Sequence, residues 1–345
     1  MPSIILSLWK FLHFFDLLII SYITLYDLHC SLLLKKDLKR IIRVGLSQVG
    51  GKTMKKKIFE GSGVAIITPF NDKGINYDKF EELIEWHIAE GTDAIIICGT
   101  TGESATLPME EHKALIKFCV DKVNHRIPVI AGAGSNDTRH AIGTSQFAES
   151  VGVDGLLSVV PYYNKTTQKG LYAHFEAIAN SVNTPIILYN VPGRTGLDMS
   201  PSIVKELSQI ENIVGIKECN FNHVGEHRKL CGPDFAIYSG EDANVLPLLA
   251  MGGQGVISVM ANIIPKDTHE LCARFMKGDI EGSREIQLKV LDLVNALFIE
   301  TSPTPVKKAM NLMGMNVGGC RLPLVPMEIK NQTILIDALK AYGLL

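Results

Sequence analysis

From residue 58 onward, short β-branched runs alternate with amphipathic stretches of helix length. The runs that predict strands are 64–69, 94–98, 128–132, 155–160, 185–189, 213–217, 235–239 and 255–259. Most are almost continuously apolar, as in Ala94-Ile95-Ile96-Ile97-Cys98 and Pro185-Ile186-Ile187-Leu188-Tyr189. Such runs suit strands buried on both faces, as in a parallel sheet covered by helices. Between them, 78–90 places Phe80, Leu83, Ile84 and His87 on one side. A second helix is expected near Pro108, where Leu115, Ile116 and Cys119 recur at helical spacing. Proline suits a helix's first turn, and Glu110-Glu111 suits its positive end.

Repetition of this unit along the chain predicts an α/β fold, a closed (β/α)8 TIM barrel. An open doubly wound sheet usually carries G-x-G-x-x-G after its first strand, and that pattern is missing here. After 260 the pattern is helical only, over 265–277, 280–299, 303–313 and 326–342. The expected organisation is therefore a barrel over 54–264 and a C-terminal helical extension over 265–345.

Residues 1–53 do not share this pattern. They are rich in Leu, Ile and Phe, but Lys10, Asp16 and Asp27 interrupt them. The longest uncharged run, 17–26, falls well short of the roughly 20 apolar residues that a spanning helix needs. No basic start and no A-x-A-like site marks a secretory signal. Gly50-Gly51 can be encoded by GGAGG, a ribosome-binding sequence, with Lys52-Thr53 as a spacer. The reading adopted is an atypical leader ahead of a true start at Met54. Gly51-Lys52-Thr53 ends like a phosphate-binding loop, but Leu46 stands where that motif needs its first glycine.

Composition narrows the function. The net charge of −2 is spread without a basic block, so neither nucleic acid nor a membrane is an expected partner. The seven cysteines lack any C-x-x-C pair and read as buried free thiols in a reducing cytoplasm. The ten histidines read as scattered, without a ligand pair such as H-x-x-x-H. No metal is expected on that reading, and a metal-dependent aldolase is disfavoured.

In a barrel the chemistry gathers at the C-terminal ends of the strands. Lys217 closes the apolar run Ile213-Val214-Gly215-Ile216. Burial would push its amine toward the neutral, nucleophilic form, which makes imines with carbonyl compounds. The plain alternative is a strand-end lysine in water or paired to Glu218. Tyr189 ends the preceding strand and is either a proton shuttle or a core tyrosine. Thr100 and Thr101 sit in a glycine-flanked turn that offers N–H groups and hydroxyls to a carboxylate, or simply caps a loop. Arg194 is either a two-pronged carboxylate clamp or a surface ion-pair partner.

The motif Gly99-Thr100-Thr101-Gly102-Glu103 resembles the first signature of the dihydrodipicolinate synthase / N-acetylneuraminate lyase family of class I aldolases. Tyr189-Asn190-Val191-Pro192-x-x-Thr195, followed by Gly215-Ile216-Lys217-Glu218, is similar to the second. Pro161-Tyr162-Tyr163-Asn164-Lys165 resembles the synthase branch. The likeness runs from about 58 to the C-terminus.

The resemblance implies that Lys217 forms a Schiff base with pyruvate and that no other cofactor is needed. The derived enamine would attack L-aspartate 4-semialdehyde, on the route to diaminopimelate and lysine. Tyr189, Thr100 and Tyr163 match the family's proton relay, with Tyr163 supplied by a neighbouring subunit. A homo-oligomer is implied, commonly a tetramer built as a dimer of dimers. Arg194 matches the residue that binds the semialdehyde carboxylate. Thr101, Gly102 and Ile257 match the substrate-binding positions. Ser104, Ala105, His112, Asn136 and Tyr162 match an allosteric lysine site. There Met109 replaces a usual histidine and His140 a usual glutamate, so weak or absent lysine inhibition is expected. The implied alternatives are N-acetylneuraminate lyase and 2-keto-3-deoxy-sugar-acid aldolase, which share Lys217 and Tyr189.

Overall fold

The computed structural model describes Lys55 and residues 57–345; the leader reading, Met54 and Cys30 lie outside the described residues. Eight parallel strands close into a barrel. They are β1 (Gly61–Ala65), β2 (Ala94–Ile97), β3 (Val129–Gly132), β4 (Gly155–Val159), β5 (Ile186–Asn190), β6 (Ile213–Glu218), β7 (Ala236–Ser239) and β8 (Gly255–Ser258). Closure is made by β1, which pairs with β2 on one side and β8 on the other.

The helices between them are α1 (Tyr77–Ala89), α2 (Met109–Val123), α3 (Thr138–Ser150), α4 (Gln168–Ala179), α5 (Pro201–Leu207), α6 (Val224–Cys231) and α7 (Val245–Ala250). Side chains that the sequence places at helix starts act as caps. Asn76 accepts from the Lys79 N–H and Asp137 from that of Arg139, each satisfying a donor that the first turn leaves open. Pro108 stands just before α2 as its cap residue.

The first strand lies three residues earlier than the apolar run suggests. Its opening, Gly61-Ser62-Gly63, is dictated by the barrel floor. Phe59 stacks on Tyr238 with ring centroids 4.4 Å apart, and a Cβ on Gly63 would stand 2.8 Å from the Phe59 ring. Small residues are needed there, and a hydrophobic scan passes over them. At the other end Ile67 leaves the ladder, and its N–H is accepted by the Asn262 side chain at 3.1 Å. The chain then turns into a small hairpin, Phe70–Asn71 with Gly74–Ile75.

Beyond the last strand come α8 (Pro265–Met276), α9 (Ile280–Lys289), α10 (Leu291–Leu297), α11 (Thr304–Leu312) and α12 (Ile329–Tyr342). The helix expected over 280–299 is two helices parted by the buried Val290. Helix α8 packs on β1 and β8 and so completes the barrel's own helical layer. Helix α11 sends the buried Lys307 under the β2 loop. Its Nζ donates to Glu103 Oε1 and to the Thr68 carbonyl, both at 2.8 Å. Glu103 has φ +57°, and this ion pair fixes the end of the turn that carries Thr100 and Thr101.

Candidate active site

Strand β6 runs Ile213-Val214-Gly215-Ile216-Lys217-Glu218 and is buried throughout. Neighbours in a strand point to opposite faces. Lys217 turns into the barrel and is 6 % exposed, while Glu218 turns outward, toward α6. Glu218 is therefore not the partner of Lys217. It accepts instead from Asn190, the Asn220 N–H and His227.

Tyr189 lies opposite Lys217 in the β5–β6 register, and the Lys217 Nζ sits 4.4 Å from the Tyr189 ring centroid. Burial is the main reason that the Lys217 amine is held below the usual lysine value. The Arg194 guanidinium adds to that, against the opposing pull of Cys219, Asp242 and Glu241. Burial pushes the Tyr189 phenol up, and Cys219 adds to the rise; Arg194 and a hydrogen bond with Thr100 act the other way. The amine and the phenol are thus both biased toward their neutral forms. A neutral amine attacks a carbonyl carbon, and a neutral phenol donates the proton that the resulting oxyanion needs.

Of the other expected residues, Arg194 acts electrostatically on both groups. Thr101 is buried. The Gly102 carbonyl accepts from the Thr68 hydroxyl. Ile257 packs in the same inner cluster as Tyr189. Arg194 lies on the short helix Pro192–Thr195 and reaches the Ser302 carbonyl at 3.3 Å.

A cavity of about 550 Å³ touches Thr100, Tyr189 and Arg194 and extends to Ser104, Ala105, Met109, His112, Asn136, His140 and Tyr162. Two of the candidate relay residues, Thr100 and Tyr189, therefore share one space with the candidate regulatory residues. Lys217 is not part of its lining; it lies against the Tyr189 ring. Within the cavity wall the His112 Nε2 donates to the Gly132 carbonyl at 2.9 Å, and the His112 carbonyl accepts from the Cys98 thiol. The Asn136 side chain donates to the Tyr162 carbonyl.

Tyr163 is not brought to the site of its own chain. It is 91 % exposed, in the left-handed region at φ +70°.

Two features escaped the sequence reading. Cys219 lies two residues beyond Lys217, on the same face and beside Glu241, while the buried Asp242 acts on Lys217 itself; the strand's period of two carried the Cys219 signal. The histidines are also less scattered than they read. His223-Val224-Gly225-Glu226-His227 is an H-x-x-x-H spacing, and it stands against Glu218. The cysteine expectation holds in part: Cys98, Cys119, Cys231 and Cys272 are buried free thiols, while Cys219 and Cys320 are half-buried.

A model of the dihydrodipicolinate synthetase family matches residues 58–342. The chain belongs to that family. Among curated relatives, the 4-hydroxy-tetrahydrodipicolinate synthase of Acetivibrio thermocellus is 66 % identical over 292 residues, covering 85 % of this chain and all of that protein. That of Thermoanaerobacter pseudethanolicus is 57 % identical over 291 residues, covering 84 % and 98 %. Among solved structures, the dihydrodipicolinate synthase of Aquifex aeolicus has a TM-score of 0.81 at 46 % identity, covering 83 % of this chain and 99 % of its own. That of Thermotoga maritima has a TM-score of 0.82 at 42 % identity, covering 84 % and 100 %. Membership of the dihydrodipicolinate synthetase family makes the protein a lyase on a TIM barrel.

Proposed function

We propose that the protein condenses pyruvate with L-aspartate 4-semialdehyde through an imine on Lys217, forming 4-hydroxy-tetrahydrodipicolinate for diaminopimelate and lysine synthesis. The observation that carries this reading is the buried Lys217 amine against the Tyr189 phenol, itself bonded to Thr100. The amine attacks the keto carbon of pyruvate and water leaves. Loss of a methyl proton gives an enamine, whose carbon attacks the aldehyde carbon of the second substrate. The amino group of that substrate then adds to the imine carbon, closing the ring and freeing Lys217. Tyr189 and Thr100 move the protons, and Arg194 holds the semialdehyde carboxylate by charge-assisted hydrogen bonds. Thr101, Gly102 and Ile257 form the pyruvate end. The chemistry needs no cofactor beyond the covalent imine. One solved relative, from Acinetobacter baumannii and 44 % identical, is described in complex with pyruvate.

The test is reductive trapping. Protein incubated with pyruvate and borohydride is expected to gain the mass of one reduced pyruvyl group, mapped to Lys217. A folded protein that gains none would overturn the imine reading.

We further propose a cytoplasmic homo-oligomer, a dimer of dimers, in which Tyr163 completes the relay of a neighbour. Its 91 % exposure supports this assignment. Lysine feedback is expected to be weak. A relative from Cyanidioschyzon merolae is described with lysine bound. Here His140, on the wall of the shared cavity, offers no carboxylate to a lysine ammonium. Inhibition at sub-millimolar lysine in a steady-state assay would contradict this.

A further inference from the structure

On the face of β6 opposite Lys217, Glu218 enters the layer between strand and helix and is 2 % exposed. Its Oε2 lies 2.8 Å from His227 Nε2 and 4.0 Å from His223 Nδ1. Its Oε1 accepts from the Asn190 side chain at 2.9 Å and from the Asn220 N–H at 2.7 Å. Asp198 enters from the segment after β5, with Oδ1 3.7 Å from His223 Nδ1. Asn190 and Asn220 donate to this second carboxylate as well.

His223 and His227 are four residues apart at the start of α6, so they share a face. Their rings meet edge to face, 5.7 Å apart. Nδ1 of each is buried without a hydrogen-bond partner. Among the described residues no lysine or arginine pairs with Glu218 or Asp198; their ionic contacts are to these histidines alone. Two carboxylates, one wholly buried, are thus compensated only by amides and imidazoles. Burying a carboxylate without a cation is costly.

We propose that Glu218, His223 and His227 bind a divalent transition metal of the zinc class, with Asp198 or water as the fourth ligand. Imidazole nitrogen and carboxylate oxygen are the donors such an ion takes, at about 2.0–2.2 Å and in tetrahedral geometry, which sets donors roughly 3.3 Å apart. The separations of 2.8, 3.7 and 4.0 Å bracket that value, and the ligand atoms of Glu218, His223 and His227 all lie within 4.8 Å of one another, so side-chain rotations on the order of an ångström convert the cluster into a coordination sphere. The H-x-x-x-H spacing on a helix is the usual way to aim two imidazoles at one ion. The half-exposed Asp198 marks the way in. The ion would tie the segment after β5, the end of β6 and the start of α6 into one unit. It takes part in no step at Lys217; it holds the backbone that presents the amine.

The test uses the full chain, stripped with a chelator and titrated with Co2+ alone. One equivalent is expected to bind, giving the intense visible bands of a four-coordinate nitrogen–oxygen site. Zn2+ should erase those bands and raise the thermal midpoint. His227→Gln and His223→Gln should each lose them; His223 is partly exposed, so its variant keeps the test valid if the other fails to fold. Three results would overturn the proposal: no bands in the unmodified protein, bands that survive in the His223→Gln protein, or thiolate-to-cobalt charge transfer, which would place the ion on a cysteine. Any of these would leave the cluster as a hydrogen-bonded network.

Discussion

At the scale of single residues, burial biases two ionisable groups of the candidate site toward their neutral forms. For Lys217 this has a thermodynamic signature. Its folded pKa lies below the 10.5 of a free lysine. Between those two values the unfolded chain binds more protons than the folded one, so stability rises with pH across that window. The burden of the buried amine is complete below the lowered value and gone above 10.5. Lys217→Met should therefore abolish turnover yet raise stability near neutral pH. That gain should shrink as pH climbs toward 10, as urea-unfolding midpoints across pH would record. Tyr189→Phe keeps the ring against the amine but removes the relay proton. The expected loss in kcat is about 10²–10⁴-fold, with imine formation, followed by trapping, slowed rather than prevented. Lys217, Tyr189 and Thr100 stood out as candidates in the sequence because each is a chemically active side chain at or just beyond the end of an apolar strand, and the family resemblance chose between that reading and a structural one. What Glu218 does was not. The reading in which it neutralises Lys217 treats adjacent residues as neighbours in space, whereas a strand sends them to opposite faces. The same alternation, applied two residues further on, would have flagged Cys219.

At the scale of elements, seven of the eight barrel strands begin within a residue of their apolar runs, because a strand buried on both faces has few polar positions to blur it. The first strand departs because its start is set by space above Phe59 rather than by hydrophobicity. The split at Val290 leaves no mark in a periodicity that continues on both sides of it. Nor does sequence pattern show that Lys307 is a core residue. Its helix lies far along the chain from Glu103, and only folding brings the charges together. Removing one member of a buried ion pair strands the other, at about 3–5 kcal/mol. Lys307→Met should cost that much in chemical unfolding. It should also loosen the Gly99–Glu103 turn, so that pyruvate binding weakens more than the trapped imine's position on Lys217 changes.

At the scale of the whole molecule, the barrel supplies every member of the proposed constellation except Tyr163, which the chain holds out into solvent. No reading of one chain's own pattern could place that residue at a site; its pairing with Thr100 is an expectation that comes only with the family resemblance. A mixing experiment checks it. Tyr163→Phe and Lys217→Ala proteins, each nearly inactive, should regain activity after being unfolded and refolded together, and not when refolded apart. In such a hybrid, one chain lends its phenol and the other its amine. On the proposed shared relay, a substitution at Tyr163 would be unlike one at Lys217 in a way that matters for heredity as much as for chemistry: its carrier would go unharmed, and the injury would fall on the chain beside it.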